Sequence, residues 1–345
     1  MKHARSAFFT PGSDFTIEDV PLSPPGRGEV RIAIGFCGIC GTDQHIFHGA
    51  MAHRLGDRRV LGHEASGVIQ AIGEGVDDFS LGDRVVVRPL SSCGTCPACK
   101  AGHTHVCQNL KFLGIDTDGG FSEAWTVPAE TVHHLPEGIS LKSAALVEPT
   151  AVACHDVRRG RVAPGEDVLV IGGGPIGILV AIAAREAGAR VTVSEINDSR
   201  LALIGKLGFD AINPSRDDVA ATMMEKTGGK GADVVFEVSG AQAGLNATTA
   251  VAAVRGRIVV VAIYPEAPSI EMFQYFWKEL ELIGARVYEA EDYDRAIAMI
   301  ADGKVDAAAL ITDVHPLDHI GAAFAGLDGS GAAMKTLIEV SGELA

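Results

Sequence analysis

The stretch Val168-Leu-Val-Ile-Gly172-Gly-Gly174-Pro-Ile-Gly177 decides the fold of this chain. A short apolar run leads into a G-x-G-x-x-G pattern, and an apolar, alanine-rich stretch follows it. A strand, a glycine turn and a helix in this order are typical of a dinucleotide-binding βαβ unit. Gly172 permits the tight turn, Gly174 lets the backbone approach a pyrophosphate, and Gly177 lets the helix pack against the strand.

The same unit indicates which dinucleotide binds. Pro175 and Ile176 begin the helix, whose free N–H groups face the phosphates. Glu195 ends the second β run, where an acidic side chain accepts hydrogen bonds from the ribose hydroxyls and repels a 2′-phosphate. This predicts NAD rather than NADP. Arg200 also belongs to the predicted cofactor site, and it leaves NADP open because an arginine can receive a 2′-phosphate.

Strands alternate with helices after this unit. Alternation of this kind predicts a parallel sheet covered on both faces, in a Rossmann domain over residues 151–289. The predicted strands are Arg190–Ser194, Ala232–Val238, Arg257–Tyr264 and Leu280–Val287, and the predicted helices include Ile176–Ala187, Ser199–Leu207 and Ala243–Val254.

The first 150 residues have a different pattern. Short β-branched runs such as Val30–Ile34 and Ser66–Ile72 are separated by turn signals such as Gly73-Glu-Gly75, which indicates a mostly β domain. Residues 290–345, with a helix over Asp294–Gly303, are expected to complete it. The chain is therefore predicted to be an α/β protein of two domains, as its 345 residues suggest.

Charge and composition exclude several classes of function. The formal net charge is −15 and no Lys/Arg run exceeds a pair, which argues against nucleic acid as a partner. Apolar runs such as Ile258–Ile263 are too short to cross a bilayer. Met1–Thr10 lacks the pattern of a signal peptide, so we expect a cytoplasmic protein with a small-molecule substrate.

Four of the seven cysteines lie close together in the chain. Four thiolates satisfy a tetrahedral zinc and leave no position open, so this cluster predicts a structural zinc. An iron–sulfur cluster is the main alternative. The predicted ligands are Cys93, Cys96, Cys99 and Cys107.

Two further segments of the first domain carry metal-ligand types. Cys37-Gly-Ile-Cys40 could by itself be half of a zinc ribbon or a redox pair. His63, followed by Glu64, could by itself be a core histidine. Neither segment alone decides between these interpretations.

Taken together, these motifs resemble the zinc-containing medium-chain dehydrogenase/reductase family. The resemblance covers essentially the whole chain, in the expected order, and Glu148-Pro149 places it closest to the butanediol, sorbitol and threonine dehydrogenase branch. It implies a GroES-like catalytic domain beside the Rossmann domain. It rests on the four-cysteine cluster, the glycine loop, Cys40-Gly-Thr-Asp-Gln-His45, Gly62-His-Glu-Ala-Ser-Gly67, Gly73-Glu-Gly-Val76 and Gly82-Asp-Arg-Val85.

The resemblance also implies a catalytic zinc, the second zinc of the chain. Cys40 and His63 match its thiolate and imidazole ligands, and Cys37 is then a small buried residue. Glu64 matches a carboxylate that ligates the metal or exchanges with water, and Asp43 matches the carboxylate that orients the histidine. One thiolate and one carboxylate balance the charge of Zn²⁺, and the open position takes the alcohol.

Three other residues have implied roles with open alternatives. Glu148 matches the remaining ligand, or a group bound to the metal's water, but it could simply favour a helix start near Thr150. Thr42 and His45 match a proton relay, for which Glu64 or Glu148 through a water is the alternative. Cys154, a rival ligand, is interpreted as core.

The predicted function is oxidation of a secondary alcohol of a small diol or polyol to a ketone, with zinc and NAD. A threonine-type amino-alcohol dehydrogenase is the second hypothesis, but no carboxylate-binding cation is identifiable. A non-catalytic dinucleotide-binding sensor is the third. The strand over Leu280–Val287 is expected at a sheet edge, which favours a homo-oligomer, either a dimer or a tetramer.

Overall fold

The computed structural model describes residues 3–12, 14–264, 266–327, 331 and 333–344. The chain divides into two compact units, one of Met1–Glu148 with Glu289–Ala345 and the other of Pro149–Tyr288. The ends of the expected first domain, at residues 1–2 and 345, lie outside the described residues. No helix within the described ranges is long and apolar enough to cross a membrane.

The strands, in chain order, are β1 (His3–Phe9), β2 (Phe15–Pro21), β3 (Glu29–Gly38), β4 (Arg59–Val60), β5 (Glu64–Ile72), β6 (Arg84–Val87), β7 (Leu90–Ser91), β8 (Lys111–Phe112), β9 (Ala124–Pro128), β10 (Val132–His134), β11 (Asp167–Ile171), β12 (Arg190–Ser194), β13 (Asp210–Ile212), β14 (Ala232–Glu237), β15 (Ala252–Val260), β16 (Glu281–Gly284), β17 (Ile311–Pro316) and β18 (Lys335–Glu339).

The α-helices are α1 (Gly41–Phe47), α2 (Pro97–Lys100), α3 (Leu141–Ala144), α4 (Val147–Arg159), α5 (Pro175–Glu186), α6 (Asp198–Lys206), α7 (Val219–Lys226), α8 (Gln242–Val251), α9 (Met272–Lys278), α10 (Ala290–Ala301), α11 (Ala307–Leu310) and α12 (Ile320–Leu327).

The second unit contains the predicted parallel sheet. Its strand order is β13-β12-β11-β14-β15-β16, and every neighbouring pair is parallel. The chain therefore moves outward in both directions from β11, which places the topological switch point at the carboxyl end of that strand. Apolar side chains such as Leu169, Val235 and Ile258 are buried between the sheet and its helices. The predicted fold class is confirmed.

Several elements of this unit differ from the sequence prediction. The strands expected over Arg257–Tyr264 and Leu280–Val287 end earlier, at Val260 and Gly284. The helix expected over Ala243–Val254 ends at Val251, because Ala252 pairs with Ala232 and extends β15 toward the N-terminus. Strand pairing outweighs the helix propensity of this alanine-rich stretch. Strand β13 was not predicted, since three residues are too few for a periodic signal.

The first unit is mostly β, as predicted. Its largest sheet has the order β10-β6-β5-β3-β18-β17, with β9 also paired to β3, and smaller sheets have the orders β2-β1-β4 and β7-β8. Strand β3 pairs antiparallel with both β5 and β18. Strand β3 therefore lies between β5 and the last strand, β18, and this pairing brings together the residues of the candidate metal site.

Candidate metal and dinucleotide sites

The four predicted zinc cysteines converge on one another. Their sulfurs all lie within 4.8 Å, and the distances are 3.4 Å from Cys93 to Cys107 and 3.8 Å from Cys96 to Cys107. All four are free thiols. A tetrahedral zinc with Zn–S bonds of about 2.3 Å needs sulfurs about 3.8 Å apart. The cluster fits one such ion, whereas an iron–sulfur cluster distributes its cysteines over several irons.

The local backbone prepares these sulfurs for a cation. Cys96 caps helix α2, and its sulfur accepts a hydrogen bond from the backbone N–H of Cys99. Hydrogen bonds from the backbone N–H groups of Thr95 and Cys96 lower the pKa of Cys93 to about 5. Burial and neighbouring thiols raise the pKa of Cys99 to about 11. A bound cation is therefore needed before all four become thiolates at neutral pH.

A second cluster joins Cys40, His63 and Glu64, whose donor atoms also lie within 4.8 Å of one another. The pairing of β3 with β5 creates it, because Gly38 lies directly opposite Glu64 and Cys40 follows two residues later. A side chain at Gly38 would displace the carboxylate of Glu64, since its Cβ would lie 2.1 Å from Oε2 of Glu64. One thiol, one imidazole and one carboxylate form a donor set that suits a catalytic zinc.

Cys37 lies outside this donor set. It pairs with Ala65 in the β3–β5 ladder and is fully buried, and burial raises the pKa of its thiol well above the usual value. Its sulfur would lie 2.8 Å from a Cβ at Gly62, which has a φ of +98°. A small thiol and a glycine therefore fill this corner together, in agreement with a packing role for Cys37.

Asp43 lies behind the imidazole of His63. Its Oδ2 accepts a hydrogen bond from the backbone N–H of Cys40 at 3.0 Å, and its Oδ1 lies 3.5 Å from Nδ1 of His63. Burial disfavours a charged imidazole, but the charges and hydrogen bonds of Asp43 and Cys40 together outweigh it and raise the pKa of His63 well above the usual value. The carboxylate thus orients the ring through Nδ1 and leaves the other nitrogen for a metal. Phe112 packs edge-on against the ring, with centroids 5.1 Å apart.

Lys335 is a residue of this site that sequence reasoning missed. Its Nζ donates to Oε1 and Oε2 of Glu64 at 2.6 and 2.5 Å, and to the backbone oxygen of Ile39 at 3.2 Å. Burial disfavours the charged amine, but the charge and hydrogen bonds of Glu64 and the charges of Cys40 and Glu148 together outweigh it and raise the pKa of Lys335. The only signal in the sequence was a lysine at the start of the apolar run that forms β18.

The remaining predicted catalytic residues lie at different depths. Glu148 is 5% exposed, and its charge contributes to the raised pKa values of Tyr293 and Lys335, although it lies outside the three-residue donor set. Thr42 and His45 lie on α1, three residues apart and thus on the same face, with Thr42 half-buried and His45 exposed.

The glycine loop has the geometry that its sequence predicts. Gly172 has a φ of +104°, and Gly174 is the N-cap of α5, which begins with Pro175 and continues through Ile176. A Cβ at Gly177 would lie 1.8 Å from the carbonyl oxygen of Gly172. No side chain caps the helix, so its N-terminus can receive a phosphate group.

Glu195 closes the other side of this loop. Its Oε2 accepts a hydrogen bond from Gly173 N–H at 2.8 Å, and its Oε1 accepts from the N–H groups of Ile196 and Asn197 at 2.7 and 2.8 Å. Arg200 Nη1 lies 3.7 Å from Oε2. The carboxylate is therefore held rigidly beside the glycine loop, with the predicted arginine next to it.

Comparison with known proteins identifies the family of the chain. The model of the alcohol dehydrogenase GroES-like domain matches residues 26–137, and the model of the zinc-binding dehydrogenase family matches residues 175–302. The structure of 2R,3R-butanediol dehydrogenase from Bacillus subtilis superposes with a TM-score of 0.90 at 31% identity, covering 98% of this chain and 100% of that one.

Two curated relatives are similar over most of their length. The 2-dehydro-3-deoxy-L-galactonate 5-dehydrogenase of Pseudoalteromonas atlantica is 53% identical, over 98% of this chain and 99% of the relative. The L-galactonate-5-dehydrogenase of Escherichia coli is 36% identical, over 86% and 87%. The chain therefore belongs to the zinc-dependent medium-chain dehydrogenase/reductase family, in its polyol dehydrogenase branch, and is an oxidoreductase that acts on alcohols with a nicotinamide dinucleotide.

Proposed function

We propose that this enzyme oxidises the C5 hydroxyl of a six-carbon sugar acid, of the 2-dehydro-3-deoxygalactonate type, to the ketone. The observation that carries the proposal is the 53% identity to a 2-dehydro-3-deoxy-L-galactonate 5-dehydrogenase over nearly the whole chain. The second relative is named for oxidation at the same carbon of galactonate. The predicted class of secondary polyol alcohols thereby narrows to hydroxyls of a carboxylated sugar.

The site residues would have different roles in this reaction. Cys40, His63 and Glu64 would hold a zinc, which supplies Lewis acidity to the substrate hydroxyl. Thr42 lies deeper on α1 than His45, so their side chains can pass the hydroxyl proton outward to solvent. Glu148 through a water is the alternative acceptor, and it is buried near Lys335.

The proposal includes two zinc ions per chain with different tasks. The four sulfurs of Cys93, Cys96, Cys99 and Cys107 would fill all four positions of a tetrahedral zinc, so an ion held there would have no position for substrate. The three-residue donor set leaves a fourth position open. Reduced thiols of this kind persist in the cytoplasm, where we place the enzyme.

A substrate screen tests the proposed function. With 2-dehydro-3-deoxy-L-galactonate, NADH formation should have a kcat/KM at least about 100-fold above that for 2,3-butanediol or sorbitol, since a site that binds its substrate through hydrogen bonds discriminates strongly against molecules that lack the matching groups. The matched comparison is sorbitol, which has the same number of carbons but no carboxylate. A preference for sorbitol or for L-threonine would refute the proposal.

We also propose that Glu195 makes NAD the preferred dinucleotide. Its fixed charge repels a 2′-phosphate, so Glu195→Gln should lower the NAD/NADP ratio of kcat/KM by about tenfold or more. Glutamine keeps one oxygen, which can still accept from the backbone N–H groups of Ile196 and Asn197, and loses only the acceptor for Gly173. Asp198→Asn is the control, because Asp198 is exposed and paired with Arg216. An unchanged ratio for Glu195→Gln would move the discrimination to another residue.

A homo-oligomer, either a dimer or a tetramer, is the proposed assembly. Strand β16 lies at the edge of its sheet, and on α9 the side chains of Phe273, Phe276 and Trp277 are 59–77% exposed. Unpaired edges and exposed aromatic faces favour association. Phe276→Glu should therefore lower the native mass measured by light scattering, whereas Leu81→Glu, at an exposed position of the other unit, should not. A monomeric wild-type enzyme at micromolar concentration would contradict the proposal.

A further inference from the structure

A buried carboxylate, that of Glu237, lies beside the glycine loop and belongs to neither of the two metal-ligand clusters. Glu237 is the last residue of β14 and is fully buried. It lies opposite Ile171, the residue that precedes Gly172, in the β11–β14 ladder. Among the described residues no lysine or arginine forms an ion pair with it. Burying a carboxylate costs free energy unless hydrogen bonds compensate for the lost hydration, so Glu237 depends on its hydrogen-bond partners.

The partners of Glu237 come from two loops. After β14, Ser239 donates through its backbone N–H to Oε1 at 3.0 Å and also through its hydroxyl. After β15, the hydroxyl of Tyr264 donates to Oε2 at 2.5 Å. Burial and this hydrogen bond raise the pKa of Tyr264, so the phenol remains a donor at neutral pH. One carboxylate thus fastens both loops to the end of the sheet.

These loops reach the dinucleotide loop and each other. A Cβ at Gly172 would lie 3.0 Å from the backbone nitrogen of Ser239, so the first loop touches the glycine turn. A Cβ at Gly240 would lie 3.5 Å from the carbonyl oxygen of Ile263, so the second loop packs on the first. The side chain of Ile263 is 71% exposed, which gives the second loop an apolar surface open to a ligand.

The sheet order indicates which half of the cofactor meets these loops. The pyrophosphate binds at the start of α5, after β11, and Glu195 places the adenosine ribose on the side of β12. The nicotinamide half must therefore extend to the opposite side, over β14 and β15, whose strands follow at intervals of about 4.8 Å. An apolar surface at that position suits the faces of a nicotinamide ring.

We propose that Glu237, Ser239 and Tyr264 form a positioning cluster that holds the two loops against which the nicotinamide half of the dinucleotide binds. The cluster acts through the loops and does not touch the reacting atoms. This inference rests on the proposed dinucleotide site at the glycine loop. Loss of one hydrogen bond of the cluster should weaken binding of the nicotinamide half alone and leave the adenosine and pyrophosphate contacts intact.

Two ligands distinguish binding of the nicotinamide half from binding of the adenosine and pyrophosphate half. ADP-ribose has every part of NAD except nicotinamide. Tyr264→Phe should raise the Kd for NAD⁺ about tenfold, as expected for loss of one buried hydrogen bond to a charged group. The same variant should change the Kd for ADP-ribose less than about twofold. Calorimetry on the zinc-loaded enzyme measures both constants without turnover. Tyr275→Phe is the matched control, because Tyr275 lies in the hydrophobic core of the same unit.

The outcomes distinguish the inference from its premise. Equal weakening of both ligands by Tyr264→Phe, or no weakening of NAD⁺, would overturn the positioning cluster. Failure of the wild-type enzyme to bind either ligand would overturn the dinucleotide site as well. Ser239→Ala is the second variant, since it removes one hydroxyl and keeps the backbone donor, and it should weaken NAD⁺ selectively but less than Tyr264→Phe does.

Discussion

The His63→Ala enzyme is expected to lose dehydrogenase activity by a factor of about 1,000 or more while it still binds NAD. His63 contributes one of three donor atoms that lie within 4.8 Å of one another, and alanine leaves too few ligands to retain an ion. Lewis-acid assistance contributes several kcal/mol to such reactions, and each 1.36 kcal/mol corresponds to a factor of ten. Cys40→Ala should have the same effect.

Metal analysis provides a second readout of this prediction. The wild-type enzyme should contain two zinc ions per chain, and His63→Ala should contain one, held by the four cysteines. Cys107→Ser should instead lose the ion of the cysteine cluster. His134→Ala is a control, since that side chain is exposed and stacks on Phe79. Two zinc ions and full activity in His63→Ala would refute the catalytic metal site.

Lys335→Met is expected to have the largest effect on stability. In the wild-type enzyme, Nζ of Lys335 donates to both carboxylate oxygens of Glu64. The variant leaves this carboxylate buried without its cation. Breaking a buried ion pair in this way costs about 3–5 kcal/mol. For a folding unit of this size the midpoint of thermal unfolding should fall by about 10 °C. Differential scanning calorimetry on metal-free protein measures the effect without a contribution from zinc.

The double variant Glu64→Gln/Lys335→Met tests the cause. Removing both charges eliminates the unpaired carboxylate, so most of the lost stability should return. Lys335→Arg, which keeps the charge, should lose less than Lys335→Met. If the double variant were as unstable as the single one, packing of the lysine chain rather than its charge would be responsible.

Features whose parts are neighbours in the chain could be predicted from sequence. The glycine loop is an example, because Gly172 and Gly177 act within one turn and one helix start. The positive φ of Gly172 and the close approach at Gly177 follow from glycine's lack of a side chain. The cysteine cluster is another, since its four ligands lie on a single loop around α2. The fold class and the family could be predicted for the same reason, from motifs with fixed local spacing.

Features that depend on strand pairing could not be predicted. Whether Cys37 or Cys40 is the ligand depends on the register of β3 against β5, which turns Cys37 into the buried ladder and brings Glu64 opposite Gly38. Residues alone left both cysteines possible, and only the resemblance to a family favoured Cys40. The early start of β15 has the same origin, because pairing with β14 overrides local helix propensity.

The sequence by itself determined the classes of chemistry of this protein, because a glycine loop and a four-thiol cluster are built from short segments whose geometry is local. The tertiary structure decided how the buried charges of the candidate sites are balanced. Lys335 reaches Glu64 across 271 positions of sequence, and Glu237 joins loops after two different strands. No spacing rule connects such residues, since the antiparallel and parallel ladders that bring them together form only when the whole sheet assembles.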